Sequence, residues 1–481
     1  MALREIRTVV ARLKSNVFLR NWAALTSSNF AVQALTVLSS IRITRALSPA
    51  GYGEYNIIFV HVGFLVIIAA FGMRQVVVRF VSRTPLSSRN VLRNVLVLRI
   101  ATTAVSIAGL LCYYQFFEPS QKNYFFLAFV LIVSNIVFDS IEIVVTGLEH
   151  MTIPAKLNFY YTLFWVIIVY VLPTNFITVF NLVFISVALQ VIKTAVFYYM
   201  VLNARILKYN DDFDNDRKFK KRMIGESIPY FWIALLTAST NQLPMLFLFK
   251  QSGASEVGYY NLAFKILNPL QLVLANAFTA LFPRVSALAV RDEERFYQIM
   301  KLSYIFLLVL GISSAFVVTL FRQEAILILY GKAFLESANV IAIQTWFFVL
   351  FSFVWLTGVF FGALDRQNLL SVITTIRTVV QLPILWYAAR FGASTFSLAY
   401  VVCAAFDVFL HWFTFQRILK KPLPVKLLLA IIGSLAAGMF LTMTIPPSLN
   451  LLIRIAILLV IMAGTYLIYK YYLSARLINQ R

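Results

Sequence analysis

Two cysteines and three histidines occur in 481 residues. Cys112 and Cys403 lie in apolar runs with no close-spaced partner, so neither a disulfide framework nor a Cys/His metal site is indicated. His61, His150 and His411 are scattered, with no ligand spacing and no nearby pair of acids. No metal or other cofactor is expected from them. Charge is scarce too: Asp, Glu, Lys and Arg make up 13% of the chain, against about 25% in soluble domains. Acidic charge is scarcest, with 19 Asp and Glu facing 42 Lys and Arg. So few histidines and acids leave little for positioned acid–base chemistry. That weighs against a membrane-embedded polysaccharide polymerase or acyltransferase.

Apolar side chains are abundant, at 61%. About 20 helical residues cross a hydrocarbon core of about 30 Å, and fourteen runs of that order can be drawn. Their approximate limits are 22–44, 55–72, 94–116, 124–146, 157–175, 177–202, 226–249, 259–282, 303–320, 340–363, 368–389, 394–416, 425–444 and 449–470. An even number puts both termini on one side. Lys and Arg resist translocation, and only Arg45, Lys122, Lys250, Arg322, Lys332 and Arg390 fall in the odd-numbered loops. Both termini are therefore expected in the cytoplasm. The first run has no small-residue cleavage site after it, and the first helix is expected to be retained. Most of the net charge of +23 is thus topology. The run "RKFKKR", Arg217 to Arg222, follows "DDFDND" and reads as a juxtamembrane stretch near anionic headgroups. No nucleic-acid partner is expected.

"PAGYGEYN", Pro49 to Asn56, returns in altered form as "SEVGYYN", Ser255 to Asn261. A gapless shift of 205 positions places Arg45 on Lys250, Gly53 on Gly258, Tyr55 on Tyr260, Asn56 on Asn261 and Arg79 on Arg284. Six spans separate the first copy from the second, so the repeat is parallel. Parallel repeats give two halves related by an axis along the membrane normal, with a substrate site between them. The expected organisation is an N-terminal lobe at 1–202, a cytoplasmic linker loop at 203–225, a C-terminal lobe at 226–420, and helices 13 and 14 with the tail at 421–481. The fold class is an all-α polytopic membrane protein: about 14 transmembrane helices, two six-helix lobes around a central cationic cavity, and two appended helices. Gly53 and Gly258 are expected in the connection after each lobe's first helix, where glycine takes positive φ at no steric cost. Tyr55 and Tyr260 would then anchor at the water–lipid interface.

"RALSPAGYGEY", Arg45 to Tyr55, resembles the Arg-x-Leu-Gly-Pro-x-x-Tyr-Gly pattern of the Wzx-type flippases, with Ser48 in place of the first Gly. These belong to the multidrug/oligosaccharidyl-lipid/polysaccharide exporter superfamily. "SEVGYYNLAFKILNPLQLVLANAFTALFPRVSAL", Ser255 to Leu288, and "LILYGKAFLESANVI", Leu327 to Ile341, are similar to further segments of that family. The resemblance runs from about residue 20 to residue 420. It implies a cavity lined by the first two helices of each lobe, which carries over to Arg42, Arg45, Lys250 and Lys265.

A charge at the bilayer centre costs about 2.5–3.5 kcal/mol on insertion scales, so buried charges face a partner or a cavity. Arg42, Arg99, Lys193, Lys265, Arg377 and Arg454 fall inside spans, against Asp139, Glu142 and Asp407. Base exceeds acid even if every acid is paired. Arg42, Arg45, Lys250, Lys265 and Arg377 are therefore the candidate substrate-binding residues. Asp139 and Glu142 share a helix face and could hold a coupling cation, H⁺ or Na⁺; a salt bridge with Arg99 is the preferred reading. Pro244 and Pro269 are expected to kink helices 7 and 8.

Taken with the resemblance, these features imply a flippase for a polyprenyl-pyrophosphate-linked glycan in a bacterial inner membrane, serving exopolysaccharide or O-antigen synthesis. Its expected partners are that substrate, membrane lipid, a coupling ion, and polysaccharide polymerase and assembly proteins. The alternatives are a cation-coupled multidrug antiporter, which would want a carboxylate-lined lumen, and the membrane enzyme already weighed.

Overall fold

An apolar run within a bilayer has no water to bond its backbone, so it closes its hydrogen bonds internally as a helix. The computed structural model describes residues 17–209 and 216–419, with 433, 453 and 454. Among these residues the elements are helices joined by turns and short 3₁₀ segments. The first eight are α1 (Val17–Ala46), α2 (Pro49–Ala70), α3 (Met73–Arg83), α4 (Ser88–Phe116), α5 (Phe125–Gly147), α6 (Thr152–Val171), α7 (Val179–Asn203) and α8 (Asp216–Asn241). They are followed by α9 (Leu243–Ser252), α10 (Ala254–Arg291), α11 (Glu293–Leu320), α12 (Arg322–Leu329), α13 (Ser337–Ala363), α14 (Gln367–Ala388) and α15 (Gly392–Ile418). Ten stretches among the described residues are long and apolar enough to cross a membrane. The protein is an all-α, multi-pass membrane protein. The two appended helices, 13 and 14 of the sequence reading, lie outside the described residues.

Two compact units divide between Leu246 and Phe247, inside α9. In the first, α1 lies along α6, α2 packs on α4 and α5, and α5 packs on α7. One core gathers Ile58, Val62, Leu110, Leu131 and Val183. A second gathers Val77, Val91, Val144 and Phe197, and takes Phe219 and Met223 from α8. Those two residues are four apart, so the basic run before span 7 has an apolar face. Asp216 to Gly225, expected in the linker loop, are accordingly the first turns of α8. The second unit is built on α13, most of whose residues are buried. It packs against α10, α11 and α15, around Trp346, Phe353, Phe360 and Phe361.

The repeated motif is helical, which corrects the expected turn. In the first unit the turn comes earlier, at Leu47 and Ser48. Ser48 caps α2, its hydroxyl accepting from Gly51 N at 3.2 Å with Pro49 in the first helical position. Ser, Pro and this spacing are ordinary helix-start chemistry. In the second unit Gly253, 205 positions on, opens α10 with φ 89°. Gly53 and Gly258 therefore lie inside α2 and α10. Tyr260 is 4% exposed, its ring packed on Phe396 and Tyr400. It is a core residue of the second unit, not an interface anchor. The break expected near Pro244 falls at Gln242, and Pro244 becomes the second residue of α9, where a missing N–H costs no helical bond. Pro269 lies inside α10.

Candidate functional site

At Phe71 and Gly72 the backbone takes φ values of 50° and 65° and the second span stops. A Cβ on Gly72 would lie 2.3 Å from Phe231 N of α8, so only glycine fits this close approach. Beyond the break α3 is amphipathic. Met73, Val76, Val77 and Val81 are buried, at the spacing of one helical face, while Arg74 and Arg79 are exposed.

The break sets Arg74 beside α5, where Asp139 and Glu142, three apart, share a face. Arg74 donates through Nη2 to Asp139 Oδ1 and to Glu142 Oε2, the latter at 3.4 Å. From behind, Arg99 of α4 brings Nη2 to 2.7 Å from Asp139 Oδ2 and donates through Nη1 to Ser140 Oγ at 2.8 Å. The two arginines differ in exposure, 45% for Arg74 and 1% for Arg99. Asp139 is thus held between a wet guanidinium and a buried one.

Arg74, Asp139 and Glu142 line a cavity of about 540 Å³ in the first unit, with Gln75, Asn135, Asn158 and Lys193 also on its polar wall. Lys193 of α7 donates to Asn158 Oδ1 at 3.2 Å. Its ammonium stands 4.3 Å from the Phe138 ring centroid and 4.5 Å from that of Tyr161, within cation–π range. Among the described residues no carboxylate lies within salt-bridge distance of Lys193, Arg42 or Lys265.

The sequence-derived candidates fall in both units. In the first, Arg42 and Arg45 stand three apart near the end of α1. Arg42 donates through Nη2 to Thr174 Oγ1 at 3.2 Å and Leu172 O at 3.3 Å, at the far end of α6. Arg45 is exposed. In the second, Lys250 is exposed at the end of α9 and Lys265 is half-buried in α10. Arg377 of α14 is committed to Asp407 of α15, Nη1 to Oδ2 at 3.2 Å. His411 Nδ1 lies 3.0 Å from Asp407 Oδ1, a single acid four residues back on the same helix. A last intramembrane base, Arg454, donates through Nη1 to Glu324 Oε1 at 2.5 Å.

Residues 18–289 match the model of a family described as polysaccharide biosynthesis protein. The chain belongs to that family. No curated protein matches the sequence. Among solved structures, the lipid II flippase MurJ in an inward closed conformation aligns with 94% of this chain and 99% of its own, at 13% identity and a TM-score of 0.67. An inward-facing multidrug resistance MATE family transporter of the MOP superfamily aligns with 80% of this chain and 95% of its own, at 13% identity and a TM-score of 0.62. A MOP superfamily transporter from Pyrococcus furiosus, for which reverse polarity of the binding pocket suggests a different function, gives 14% identity, 83% and 95% coverage, and a TM-score of 0.56. The chain shares its fold with these three structures. Within this polysaccharide biosynthesis protein the matched stretch ends in α10 and contains the whole polar cavity of the first unit.

Two participants are not among the candidates drawn from the sequence. Arg74 lies two residues past the expected end of span 2. The signal was Gly72 followed by a new amphipathic period, "MRQVVVRF". Lys193 was counted among the intramembrane bases without a role, because nothing local shows that α6 and α7 bring Asn158 and Tyr161 to it.

Proposed function

We propose that this polysaccharide biosynthesis protein is a flippase that carries a polyprenyl-pyrophosphate-linked oligosaccharide across a bacterial inner membrane by alternating access, with both termini in the cytoplasm. One observation carries the reading: Asp139, Glu142 and Asp407 are already engaged by arginine, while among the described residues Arg42, Lys193 and Lys265 have no carboxylate within salt-bridge distance. A hydrated, doubly charged pyrophosphate needs such a path. Arginine meets phosphate oxygens bidentately and lysine acts as a point charge. In this reading Arg42, Arg45, Lys250, Lys265 and Arg377 receive the headgroup, and Arg377 does so while held by Asp407. Membrane lipid, a coupling ion and polymerase and assembly proteins are the remaining partners.

A cation-coupled multidrug antiporter shares the fold. It would require carboxylates open to a cationic drug and its exchanging ion, whereas Asp139 and Glu142 are held by Arg74 and Arg99. Deleting the gene tests the flippase reading directly. Lipid-linked repeat units should accumulate on the cytoplasmic face and surface polysaccharide should be lost. Units that reach the outer leaflet normally and stay unpolymerised would instead mark an enzyme.

A further inference from the structure

Where α4 begins and α7 ends, the first unit holds a further pocket, of about 580 Å³. The chain crosses once in each of α4 to α7, so these two helix ends lie on one side of the membrane. Arg89 and Arg93 line the pocket and, four apart, share a face of α4. Both are exposed, and among the described residues neither guanidinium has an ion-pair or hydrogen-bond partner. Val97 and Ile100 continue the same face as exposed apolar side chains. Ile100 stands about 16 Å beyond Arg89 along the helix, at 1.5 Å per residue. From α7, Tyr198 and Leu202 supply the other wall, again exposed. The opposite faces of both helices, with Val91, Val95, Phe197 and Val201, are buried in the core. The pocket therefore turns toward the bilayer, with its cations at the headgroup end and its apolar residues deeper.

The chain that leaves α7 turns back over the start of α4. Arg89 N donates to Lys208 O at 2.9 Å, and Lys208 N donates to Ser88 Oγ at 2.9 Å. Leu207 and Tyr209, on either side of this clamp, both line the pocket. Its water end is thus walled by pinned backbone. We propose that the pocket seats one anionic phospholipid of the adjoining leaflet, with its phosphodiester between Arg89 and Arg93 and its first acyl carbons along Val97, Ile100 and Leu202. Charge and wall together select the occupant. Two free guanidinium groups suit phosphate oxygens, and no described Asp or Glu lines the pocket to receive the ammonium of a zwitterionic headgroup. A pyrophosphate lipid would have to carry its oligosaccharide past the clamp, whereas a small glycerol headgroup ends there. The pocket shares no residue with the polar cavity or with the bases assigned to the transported headgroup, so this site stands apart from the flippase reading. Its lipid fastens α7 and the chain beyond it to α4.

The test uses the full chain in phosphatidylcholine nanodiscs and a phosphatidylglycerol probe bearing a diazirine near the carboxyl end of one acyl chain. After photolysis, mass spectrometry should find label on peptides covering 89–100 and 198–209. Arg89→Gln with Arg93→Gln should cut that label by about tenfold or more, the loss expected when charged hydrogen bonds go. Arg89→Lys with Arg93→Lys should retain most of it. Label on the other spans of the same chain shows that each variant is folded. A phosphatidylcholine probe of the same design should label the two peptides about tenfold less. Equal labelling by the two probes would make the pocket ordinary bilayer contact and overturn the site. Label absent from both peptides overturns it as well. Displacement by an equimolar long-chain polyprenyl pyrophosphate would make the pocket an entrance for the transported lipid, and the phospholipid assignment would fall. Asp211→Asn, Asp212→Asn and Asp214→Asn together should leave the label unchanged, and a rise of about tenfold would give the two arginines to that acidic run instead.

Discussion

In the first unit Pro49 to Arg83 form two helices, α2 and α3; the residues 205 positions on, Ala254 to Leu288, lie in the single helix α10. The two copies start alike, with α2 at Pro49 and α10 at Ala254, and they return to the same register afterwards, with α4 at Ser88 and α11 at Glu293. No residue was inserted or lost to make the difference. It comes from one site: Phe71 and Gly72 take left-handed φ values where Asn276 and Ala277 continue a helix. Arg74 is thereby turned back onto Asp139 and Glu142, while its counterpart Thr279 bonds only to Ala275 O of its own helix, at 2.8 Å. The two segments share their entry and differ at their exit. The difference sets a neutralised carboxylate pair in one unit and a long helix carrying Lys265 in the other.

The comparison breaks most completely at the joint. Gly72→Leu forces a side chain into left-handed backbone against Phe231, and strain with overpacking should cost about 2–6 kcal/mol. Ala277→Leu, at an exposed helical position, should stay within about 0.5 kcal/mol. Unfolding temperature in detergent and membrane abundance would show the contrast, and equal losses would deny that the break is specific to the first unit.

A smaller effect separates the buried pairs. Arg377→Met takes the guanidinium from Asp407, whose side chain is 2% exposed and keeps His411 beside it, and removing one partner of such a pair costs about 3–5 kcal/mol. Adding Asp407→Asn should recover part of it. Arg99→Met should cost less, because Arg74 still holds Asp139. The same unfolding measurements rank the two, and a larger loss for Arg99→Met would reverse the order argued from exposure.

Arg42→Gln and Lys265→Gln remove one unpaired cation from each unit. Loss of a charged hydrogen bond worth about 1.5–3 kcal/mol should lower export tenfold or more at unchanged abundance. A fall in abundance that tracks the fall in export would assign these residues to packing instead. The smallest effect is expected at the second repeated base. Arg79 pairs with Glu226, itself bonded by Arg222, on an exposed surface where such pairs contribute at most about 1 kcal/mol. Arg79→Ala should shift stability by no more than that, and Arg284→Ala, at an exposed position of α10, by nothing measurable.

Membrane class, the helical content and the shared frame of the two copies were legible in the chain. Apolar run length and a gapless repeat are properties of the sequence itself. Helix ends were not, because they depend on contacts. Gly53 looked like a turn residue, but Ser48 supplied the cap five residues earlier and drew Gly53 into α2. Asp216 to Gly225 looked like a charged loop, yet Phe219 and Met223 had a core to enter. The excess of base over acid inside the spans could be counted in advance. The partner of each base could not, since Arg74 reaches Asp139 through the helix break at Gly72, 67 positions before that acid.

Asp139 is bracketed by two arginines of unequal freedom, and that inequality makes the pair an exchangeable contact. An anion entering the cavity can draw the exposed Arg74 away at the small cost of a solvated ion pair. Arg99, sealed behind α5, cannot follow. Asp139 therefore keeps a guanidinium throughout, whereas Glu142, which Arg74 alone holds among the described residues, is uncovered when Arg74 leaves.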